Sequence, residues 1–162
     1  MPHRIVDSPV GPLTLVVDSD GVLCGVYFDG HSHPPTEARL GARDDSVADD
    51  AVRQLGEYFA GTRTEFDLDL APNGTDFQRS VWDQLRAIPF GRTTGYGQVA
   101  SALGKSSAAR AVGAATGRNP ISIIVPCHRL VGSSGALTGY AGGVDRKKWL
   151  LDHEAAVSAR HD

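Results

Sequence analysis

The sequence predicts an α+β protein of two parts, a small sheet-and-helix domain followed by a mainly helical domain. Apolar segments near the N-terminus have the length and turn residues of strands, whereas later segments repeat their apolar residues at helical spacing. Net charge also changes along the chain, from −8 over residues 1–71 to +5 over residues 72–162. We place the domain boundary at this change, where Ala71-Pro72-Asn73-Gly74 interrupts the periodic pattern.

The composition is that of a globular chain. Of its 162 residues, 41% are hydrophobic and 22% are charged. No apolar run approaches the ~20 residues of a membrane span, and Met1–Arg4 lacks the apolar core of a signal peptide. Cys24 and Cys127 stand far apart, which favours a reducing, cytoplasmic setting over a disulfide framework. A basic second part on an acidic first part is typical of a chain of which one part meets a polyanion.

The first part contains the patterns of strands and one helix. Asp18–Gly21 between two apolar segments predicts a β-hairpin, with Cys24 in the core, and Gly61 closes an amphipathic helix. The alternation over Thr64–Leu70 predicts a strand with one face in water. The predicted elements are an apolar start at Ile5–Asp7, strands at Leu13–Val17, Val22–Phe28 and Thr64–Leu70, and a helix at Ser46–Ala60.

Two histidines, His31 and His33, stand in a polar, proline-containing loop. They could join Cys24 or His3 in a metal site, or they could lie in a solvated loop. Because no further ligands follow at regular spacing, we expect a solvated loop and no metal.

The second part begins with helical signals. Thr75–Gln78 has the spacing of a capping box, and Pro89–Gly91 ends the helix. An apolar stripe of helical period predicts which face is buried. Its members are Phe77, Val81, Trp82, Leu85 and Ile88.

Two short helices follow, joined by a turn that contains a glycine. Tyr96–Gly104 and Ala108–Thr116 fit a helix-turn-helix, with Ser106 or Ser107 as the cap of the second helix. The second helix is almost wholly Ala, Gly and Val. Its small residues could let it approach another molecule closely, or they could serve close packing between helices. The local pattern favours neither.

The stretch Ile123–Val131 organises the second part, because its apolar residues surround Pro126 and Cys127. The apolar residues predict a buried strand that Pro126 ends. Cys127 could be a small buried apolar residue, as most lone cysteines are, or a nucleophile at the edge of the core. Adjacent side chains on a strand point to opposite faces, so the base for Cys127 would act through water or come from another segment.

The remaining residues predict turns and a last helix. Gly132–Gly135 and Gly139–Gly143 read as flexible or tight turns, whose backbone N–H groups can approach a ligand. Asp145 can cap a final helix that runs to Glu154. The tail after Ala155 is expected to fray.

Several segments of the second part occur together in one known family. They are Phe77-Gln78, Val81-Trp82, Ile88–Gly91, Tyr96-Gly97, Arg110–Gly113, Asn119-Pro120, Pro126–Arg129, Gly139–Gly143 and Leu150–Glu154. In this order and spacing they resemble the O6-alkylguanine-DNA alkyltransferases, also called methylated-DNA–protein-cysteine methyltransferases. The resemblance is strong over about residues 75–155 and loose over the first part, and it favours a reactive Cys127.

The resemblance implies that residues 1–71 form a mainly structural domain. Residues 72–162 would form a winged helix-turn-helix-like domain that enters the minor groove of duplex DNA and carries the active site. A damaged nucleotide would be flipped out of the duplex into a pocket, with Arg110 filling the stack. The other residues implied to contact DNA are Ala109, Ala111, Gly113, Ala114 and Arg129.

The implied reaction transfers an alkyl group from O6-alkylguanine, and less readily from O4-alkylthymine, to Cys127. Glu154, His128 and a water would take the thiol proton, and Tyr96 would assist the leaving guanine. Asn119 would hold the active-site turn. A thioether is a poor leaving group, and the resemblance implies no cofactor, so each molecule would react once. The pocket residues would be Tyr96, Leu130, Tyr140, Ala141, Gly142 and Lys147.

The partner would be double-stranded DNA containing O6-alkylguanine, without a membrane. We expect a monomer in solution; whether several molecules bind DNA cooperatively stays open. Gly95 and Lys105-Ser106 depart from the residues common in the family, which affects details of DNA contact and pocket lining. A lesion-binding module without chemistry and a thiol hydrolase are the competing interpretations. Cys127 argues against the first, and the absence of a Gly-x-Cys elbow argues against the second.

Overall fold

In the computed structural model, residues 1–132, 135, 137 and 139–161 are described, and they confirm the predicted α+β class. The chain divides into two units. The first contains residues 1–73 together with Pro120–Ser122, and the second contains residues 74–119 and the described residues from Ile123 on. The boundary predicted from charge and turn residues lies two residues earlier, and no local pattern indicated that residues 120–122 belong to the first unit.

A three-stranded antiparallel sheet in the order β1-β2-β3 forms the centre of the first unit. The predicted hairpin is confirmed: Leu13 of β2 pairs with Phe28 of β3, and Cys24 is buried in β3. The elements of this unit are β1 (His3–Val6), β2 (Leu13–Val17), β3 (Leu23–Phe28), α1 (Glu37–Leu40) and α2 (Asp49–Ala60).

Helix α2 begins three residues later than its periodic pattern predicts. Ala48 has φ 61°, a left-handed conformation that does not continue a helix toward Ser46. The helix ends as predicted at Gly61, whose φ of 81° turns the chain so that the N–H of Thr62 donates to the carbonyl of Glu57 at 2.9 Å. Its buried face includes Gln54 and Tyr58.

The strand predicted over Thr64–Leu70 is wrong. Only Leu70 makes a bridge, to Leu23 of β3, and the residues before it form no ladder in the described chain. The side chain of Gln54 takes the backbone groups that a neighbouring strand would pair. Its amide donates to Asp67 O at 2.9 Å and accepts from Asp67 N at 2.8 Å.

The predicted solvated loop is wrong for His31, whereas His33 is exposed as predicted. His31 is buried, with its ring against the rings of Tyr27 and Phe28 at centroid distances of 5.3 and 6.0 Å. The backbone N–H of Phe28 donates to His31 Nδ1 at 3.3 Å. Among the described residues, no cluster of three His, Cys, Asp or Glu side chains could hold a metal ion.

The second unit is mainly helical, with one short parallel pair of strands. Thr75 and Gln78 form the predicted capping box at the start of α3. Val81, Trp82, Leu85 and Ile88 of the predicted stripe are buried, whereas Phe77 is half-buried. The elements are α3 (Asp76–Arg86), β4 (Thr94–Gly95), α4 (Tyr96–Ala102), α5 (Ala109–Gly117), a 3₁₀ turn (Cys127–Arg129), β5 (Leu130–Val131) and α6 (Val144–His161).

Helix ends of the second unit also differ from the prediction. Neither Ser106 nor Ser107 caps α5, which begins after Ala108 without a side-chain cap. Helix α6 begins at Val144, so Asp145 lies in its first turn. The helix also continues past Ala155 to His161, over the residues that were predicted to fray. Val157 in this segment is fully buried and packs it against the rest of the second unit. None of the helices in the described chain is both long enough and apolar enough to cross a membrane.

We predict that Gln54→Met lowers the free energy of unfolding by about 1–2 kcal/mol, because the apolar side chain forfeits both hydrogen bonds to Asp67 at similar volume. Urea unfolding measures the change. Arg53→Ala, on the exposed side of the same helix, should cost under about 0.5 kcal/mol. Equal losses in the two variants would mean that the amide does not hold the segment before Leu70.

Candidate active site around Cys127

The segment Ile123–Val131 is buried as predicted, but the predicted strand is wrong over most of its length. The chain turns through Ile123–Val125, forms the 3₁₀ turn Cys127–Arg129 and becomes extended only at Leu130-Val131. Ile123 has φ 72°, a rare conformation for a β-branched residue. The backbone N–H of Cys127 donates to Val125 O at 2.8 Å, and Asn119 Nδ2 donates to the same carbonyl at 3.0 Å.

The 3₁₀ turn changes where the three side chains after Pro126 point. Successive side chains of such a turn are about 120° apart, so they do not alternate between two faces. Cys127, His128 and Arg129 are all buried. The turn therefore directs three functional side chains into the interior in three directions, which a strand could not do.

The thiol of Cys127 lies among groups that favour its ionised form. Asn119 Nδ2 donates to Sγ at 3.2 Å, and the Tyr140 hydroxyl and the charge of Lys147 also lie close enough to act on the thiol. Burial raises the pKa of Cys127 above its ordinary value, and Asn119, Tyr140 and Lys147 offset part of that rise. At rest the residue is therefore a protonated thiol in a site prepared for the thiolate.

The carboxylate of Glu154 is the centre of the site's polar contacts. His128 Nε2 lies 2.6 Å from Oε2, and Arg129 donates from Nε to Oε1 at 2.8 Å and from Nη2 to Oε2 at 3.1 Å. The backbone N–H of Gly91 donates to Oε1 at 3.2 Å. Two donors reach each carboxylate oxygen, and Glu154 is almost wholly buried. The structure thus brings His128 and Glu154 together as predicted from the resemblance.

Burial and these contacts set the charges of the pair. Burial alone would raise the pKa of Glu154, but the hydrogen bonds and charges of His128 and Arg129 outweigh it and hold that pKa well below its ordinary range. Burial lowers the pKa of His128 despite its hydrogen bond to Glu154. At neutral pH the pair is therefore a carboxylate and a neutral imidazole. With Nε2–H donated to Glu154, Nδ1 is free to accept; it is buried and has no hydrogen-bond partner among the described residues.

The assignment of Arg129 to DNA contact is wrong. Its guanidinium is buried, and besides Glu154 it donates from Nη1 to Ile88 O at 2.7 Å and lies 5.7 Å from the Phe90 ring centroid. Because this guanidinium is buried and donates to Glu154 and Ile88 O, it does not reach a DNA phosphate. Arg129 instead supplies the buried positive charge that keeps Glu154 ionised. Sequence reasoning missed this role, and it missed Gly91, although Gly91 belongs to a segment on which the resemblance rests.

The predicted pocket residues lie on the segments that follow Cys127. Lys147 is buried on α6, and its Nζ donates to Leu130 O at 2.6 Å. The Tyr140–Gly143 segment is a tight turn closed by Gly143 N–H donating to Tyr140 O at 2.9 Å, with Ala141 half-buried and Gly142 buried. Gly142 and the start of α6 line a cavity. The predicted turn at Gly132–Gly135 includes residues 133 and 134, which lie outside the described residues.

Helix α5 presents the small residues predicted to contact DNA. Arg110, Ala111 and Ala114 are exposed, whereas Ala109 and Gly113 are partly buried. On the other side, Val112 and Ala115 are buried. The Tyr96 ring lies over Gly113, where an added methyl group would be 3.5 Å from the ring. Strand β4, which immediately precedes Tyr96, pairs with β5, so the start of the helix-turn-helix lies beside the end of the Cys127 turn.

Two family models match the chain. Residues 1–72 match "6-O-methylguanine DNA methyltransferase, ribonuclease-like domain", and residues 76–156 match "6-O-methylguanine DNA methyltransferase, DNA binding domain". The chain is 48% identical to a methylated-DNA–protein-cysteine methyltransferase of Mycolicibacterium paratuberculosis, covering 98% of this chain and 93% of the relative. It is 44% identical to one of Methanosarcina acetivorans, covering 96% and 99% of the two chains.

The fold is also shared with solved structures. Mycobacterium tuberculosis OGT in complex with DNA superposes with a TM-score of 0.91 at 46% identity, covering 97% of this chain and 94% of that one. The O6-methylguanine-DNA methyltransferase of Pyrococcus kodakaraensis gives a TM-score of 0.57 at 26% identity, covering 94% and 98%.

We predict that Glu154→Gln destabilises the protein by about 3–5 kcal/mol, because it leaves the buried Arg129 guanidinium without a counter-charge. Adding Arg129→Met should restore much of the loss by removing that charge. Chemical unfolding measures both variants. Asp152→Asn, an exposed carboxylate on the same helix, serves as the control and should stay close to the wild type. If the double variant were no more stable than Glu154→Gln, the cost would not arise from the unpaired charge.

Proposed function

The chain belongs to the 6-O-methylguanine DNA methyltransferase family, and on this premise we propose that Cys127 accepts the alkyl group. The protein repairs DNA by transferring the alkyl group of O6-alkylguanine to a cysteine of its own, once per molecule. One observation carries the assignment: the Asn119 side-chain amide donates a hydrogen bond to Cys127 Sγ. The next residue in the chain, His128, forms the buried pair with Glu154. Cys24, the other cysteine, lies in a sheet strand, where burial raises its pKa.

The proton of the thiol passes to His128 through a bridging water. His128 Nδ1 is the acceptor, because Nε2–H already donates to Glu154 and Nδ1 is buried with no protein partner among the described residues. The neutral state of His128 keeps this nitrogen basic at neutral pH. As His128 becomes cationic, the Glu154 carboxylate stabilises the new charge at 2.6 Å, as the third group does in nucleophile–base–orienter sets.

The thiolate then attacks the alkyl carbon, forming the S–C bond as the C–O bond to guanine breaks. The developing charge on sulfur is stabilised by the Asn119 amide, the Tyr140 hydroxyl and the Lys147 ammonium. The electron pair leaves on guanine, and Tyr96 donates a hydrogen bond or a proton to it. The product is a thioether on Cys127 and an unmodified guanine. Because a thioether is a poor leaving group, the protein is consumed in the reaction.

The base reaches the site by leaving the duplex. A guanine O6 lies at a base edge within the stack, out of reach of a buried thiol, so the nucleotide rotates out into the pocket. That pocket is formed by Tyr96, Leu130, Tyr140, Ala141, Gly142 and Lys147. Helix α5 lies in the minor groove, because Ala109, Ala111, Gly113 and Ala114 give it a surface narrow enough to enter. Arg110 occupies the space that the base leaves, and the protein binds as a monomer.

The transfer itself is tested by intact-protein mass after reaction with excess duplex containing one O6-methylguanine. We expect one added methylene unit, located to Cys127 by peptide mapping, and no further turnover. Cys24→Ser should react as the wild type does, and Cys127→Ser should not react.

Three other outcomes would overturn parts of the proposal. A lesion duplex that binds without any mass change would make the protein a lesion-recognition module. Mass gain in Cys127→Ser would assign the acceptor to another residue. Hydrolysis of an acyl ester dependent on Cys127 would favour a thiol hydrolase.

Arg110→Ala should slow transfer from duplex DNA by about tenfold or more, because an unfilled stack makes base extrusion, which costs a few kcal/mol, less favourable. Transfer from a single-stranded oligonucleotide with the same base should change little, since no stacked pair opens. Single-turnover rates on the two substrates give the comparison. Arg118→Ala, exposed just past the end of α5, is the matched control. Equal slowing on both substrates would exclude a role for Arg110 in extrusion.

A further inference from the structure

Trp82 makes a buried hydrogen bond that neither the proton relay nor the DNA surface uses. Its indole Nε1–H donates at 2.8 Å to the carbonyl of Ala115, in the last turn of α5. We propose that Trp82 is a positioning residue for alkyl transfer: its indole N–H holds the C-terminal end of α5 so that Asn119 keeps its amide on Cys127 Sγ. The proposal rests on Cys127 as the acceptor.

Within the described chain, helix α5 is short and buries few side chains against its neighbours α3 and α4. It is nine residues long, its N-terminus has no side-chain cap, and Val112 and Ala115 are its buried residues. Helices shorter than ~12 residues are marginal by themselves, so tertiary contacts must hold α5 in place. Small side chains suit its exposed face but contribute little packing. A strong, directional bond from the neighbouring α3 therefore has a larger effect on α5 than it would on a well-packed helix.

The bond falls where the helix geometry changes. A carbonyl oxygen has two lone pairs, and Ala115 O accepts from the Trp82 indole and, at 3.2 Å, from the backbone N–H of Arg118. In a continuing α-helix this oxygen would accept from Asn119 N–H instead. The Asn119 N–H donates to Thr116 O at 3.2 Å, so the helix closes with tight bonds three residues apart. The indole thus stabilises the tight end that aims Asn119.

Asn119 links the end of α5 to the reacting sulfur of Cys127. Its side chain is almost wholly buried, and Nδ2 reaches both Val125 O at 3.0 Å and Cys127 Sγ at 3.2 Å. Only three residues, Thr116 to Arg118, separate Asn119 from the carbonyl that Trp82 holds. A small displacement of the helix end is therefore transmitted to the amide. Lengthening the N–H···S contact removes stabilisation from the thiolate, because hydrogen bonds to an ionised group are strongly distance-dependent.

The indole ring also packs against its surroundings, and the test must separate packing from the N–H group. A side chain at Gly74 would collide with the ring, which shows how closely the ring is enclosed. Trp82→Phe removes the N–H and part of the ring. Leu85→Ala, also fully buried on α3, removes packing volume without touching the hydrogen bond, and it is the matched control.

The measurement is the rate of Cys127 alkylation by iodoacetamide against pH, in a Cys24→Ala background so that one thiol reports. Iodoacetamide reacts with the thiolate, so the midpoint of the profile follows the ionisation of Cys127. We expect Trp82→Phe to move the midpoint to higher pH and to lower the rate at pH 7 by about threefold to tenfold, one pH unit corresponding to tenfold. Leu85→Ala should keep the wild-type midpoint. A midpoint unchanged in Trp82→Phe would overturn the proposal.

A double-variant cycle tests whether the effect passes through Asn119. If it does, Trp82→Phe adds little to the midpoint shift of Asn119→Ala; fully additive shifts would overturn the proposed route. Should Trp82→Phe fold poorly, benzothienylalanine in place of tryptophan, in a Trp149→Phe background, keeps the ring size and lacks the N–H. It should give the same midpoint shift.

The same proteins distinguish failure of this inference from failure of the proposed function. Wild-type protein that methylates itself at Cys127 from methylated duplex, with a Trp82→Phe midpoint like the wild type, refutes the positioning role alone. If the wild-type protein does not react with the duplex, the proposal that Cys127 is the acceptor is refuted, whatever the midpoint of Trp82→Phe. If both hold, Trp82→Phe should also slow methyl transfer from the duplex by a factor similar to its effect on iodoacetamide.

Discussion

The active site depends on one buried carboxylate. Glu154 is enclosed in the second unit and receives donors from two separate segments: His128 and Arg129 on the 3₁₀ turn, and Gly91 in the turn after α3. Removing a carboxylate from water costs several kcal/mol, and only several good hydrogen bonds and a counter-charge repay that cost. The arrangement therefore persists only while α6 and both of these segments stay in place. For this reason the same contacts that hold the fold together also fix His128, which we propose is the base for Cys127.

The charges in this centre are divided so that the reaction can start. Arg129 supplies the permanent positive charge, and Glu154 can then stay ionised while burial keeps His128 neutral. A neutral imidazole beside an ionised carboxylate is a base that gains stabilisation as it takes a proton. Cys127 is held as a thiol by burial, and its neighbours favour the thiolate only in part. The site stores little reactive thiolate at rest, which suits a protein that can react once.

The two ends of helix α5 are held in different ways, and in the proposed function this difference serves both recognition and chemistry. Its N-terminal half has no side-chain cap and carries exposed residues that we propose face a DNA groove. Its C-terminal end is tied by an indole N–H and continues within two residues into Asn119. In the proposed function the exposed half adapts to a groove surface, while the other end keeps the Asn119 amide on Cys127 Sγ. The small residues are therefore compatible with a precise site because the anchor comes from α3.

Sequence alone was enough to predict the hairpin, the capping box, the helices of the second unit and the grouping of Cys127, His128, Asn119 and Glu154 in one site. These follow from periodicity, from short-range turn chemistry and from segments that match one family. It failed where a residue's role depends on a partner far along the chain. The segment before Leu70 alternates like a strand, yet Gln54 takes its backbone groups. Arg129 carries the positive charge that a phosphate contact needs, yet it is buried and paired with Glu154, 25 residues along the chain. Periodicity records which face is apolar, but only the tertiary structure decides which polar group meets which, because that choice depends on distances between segments that no local pattern contains.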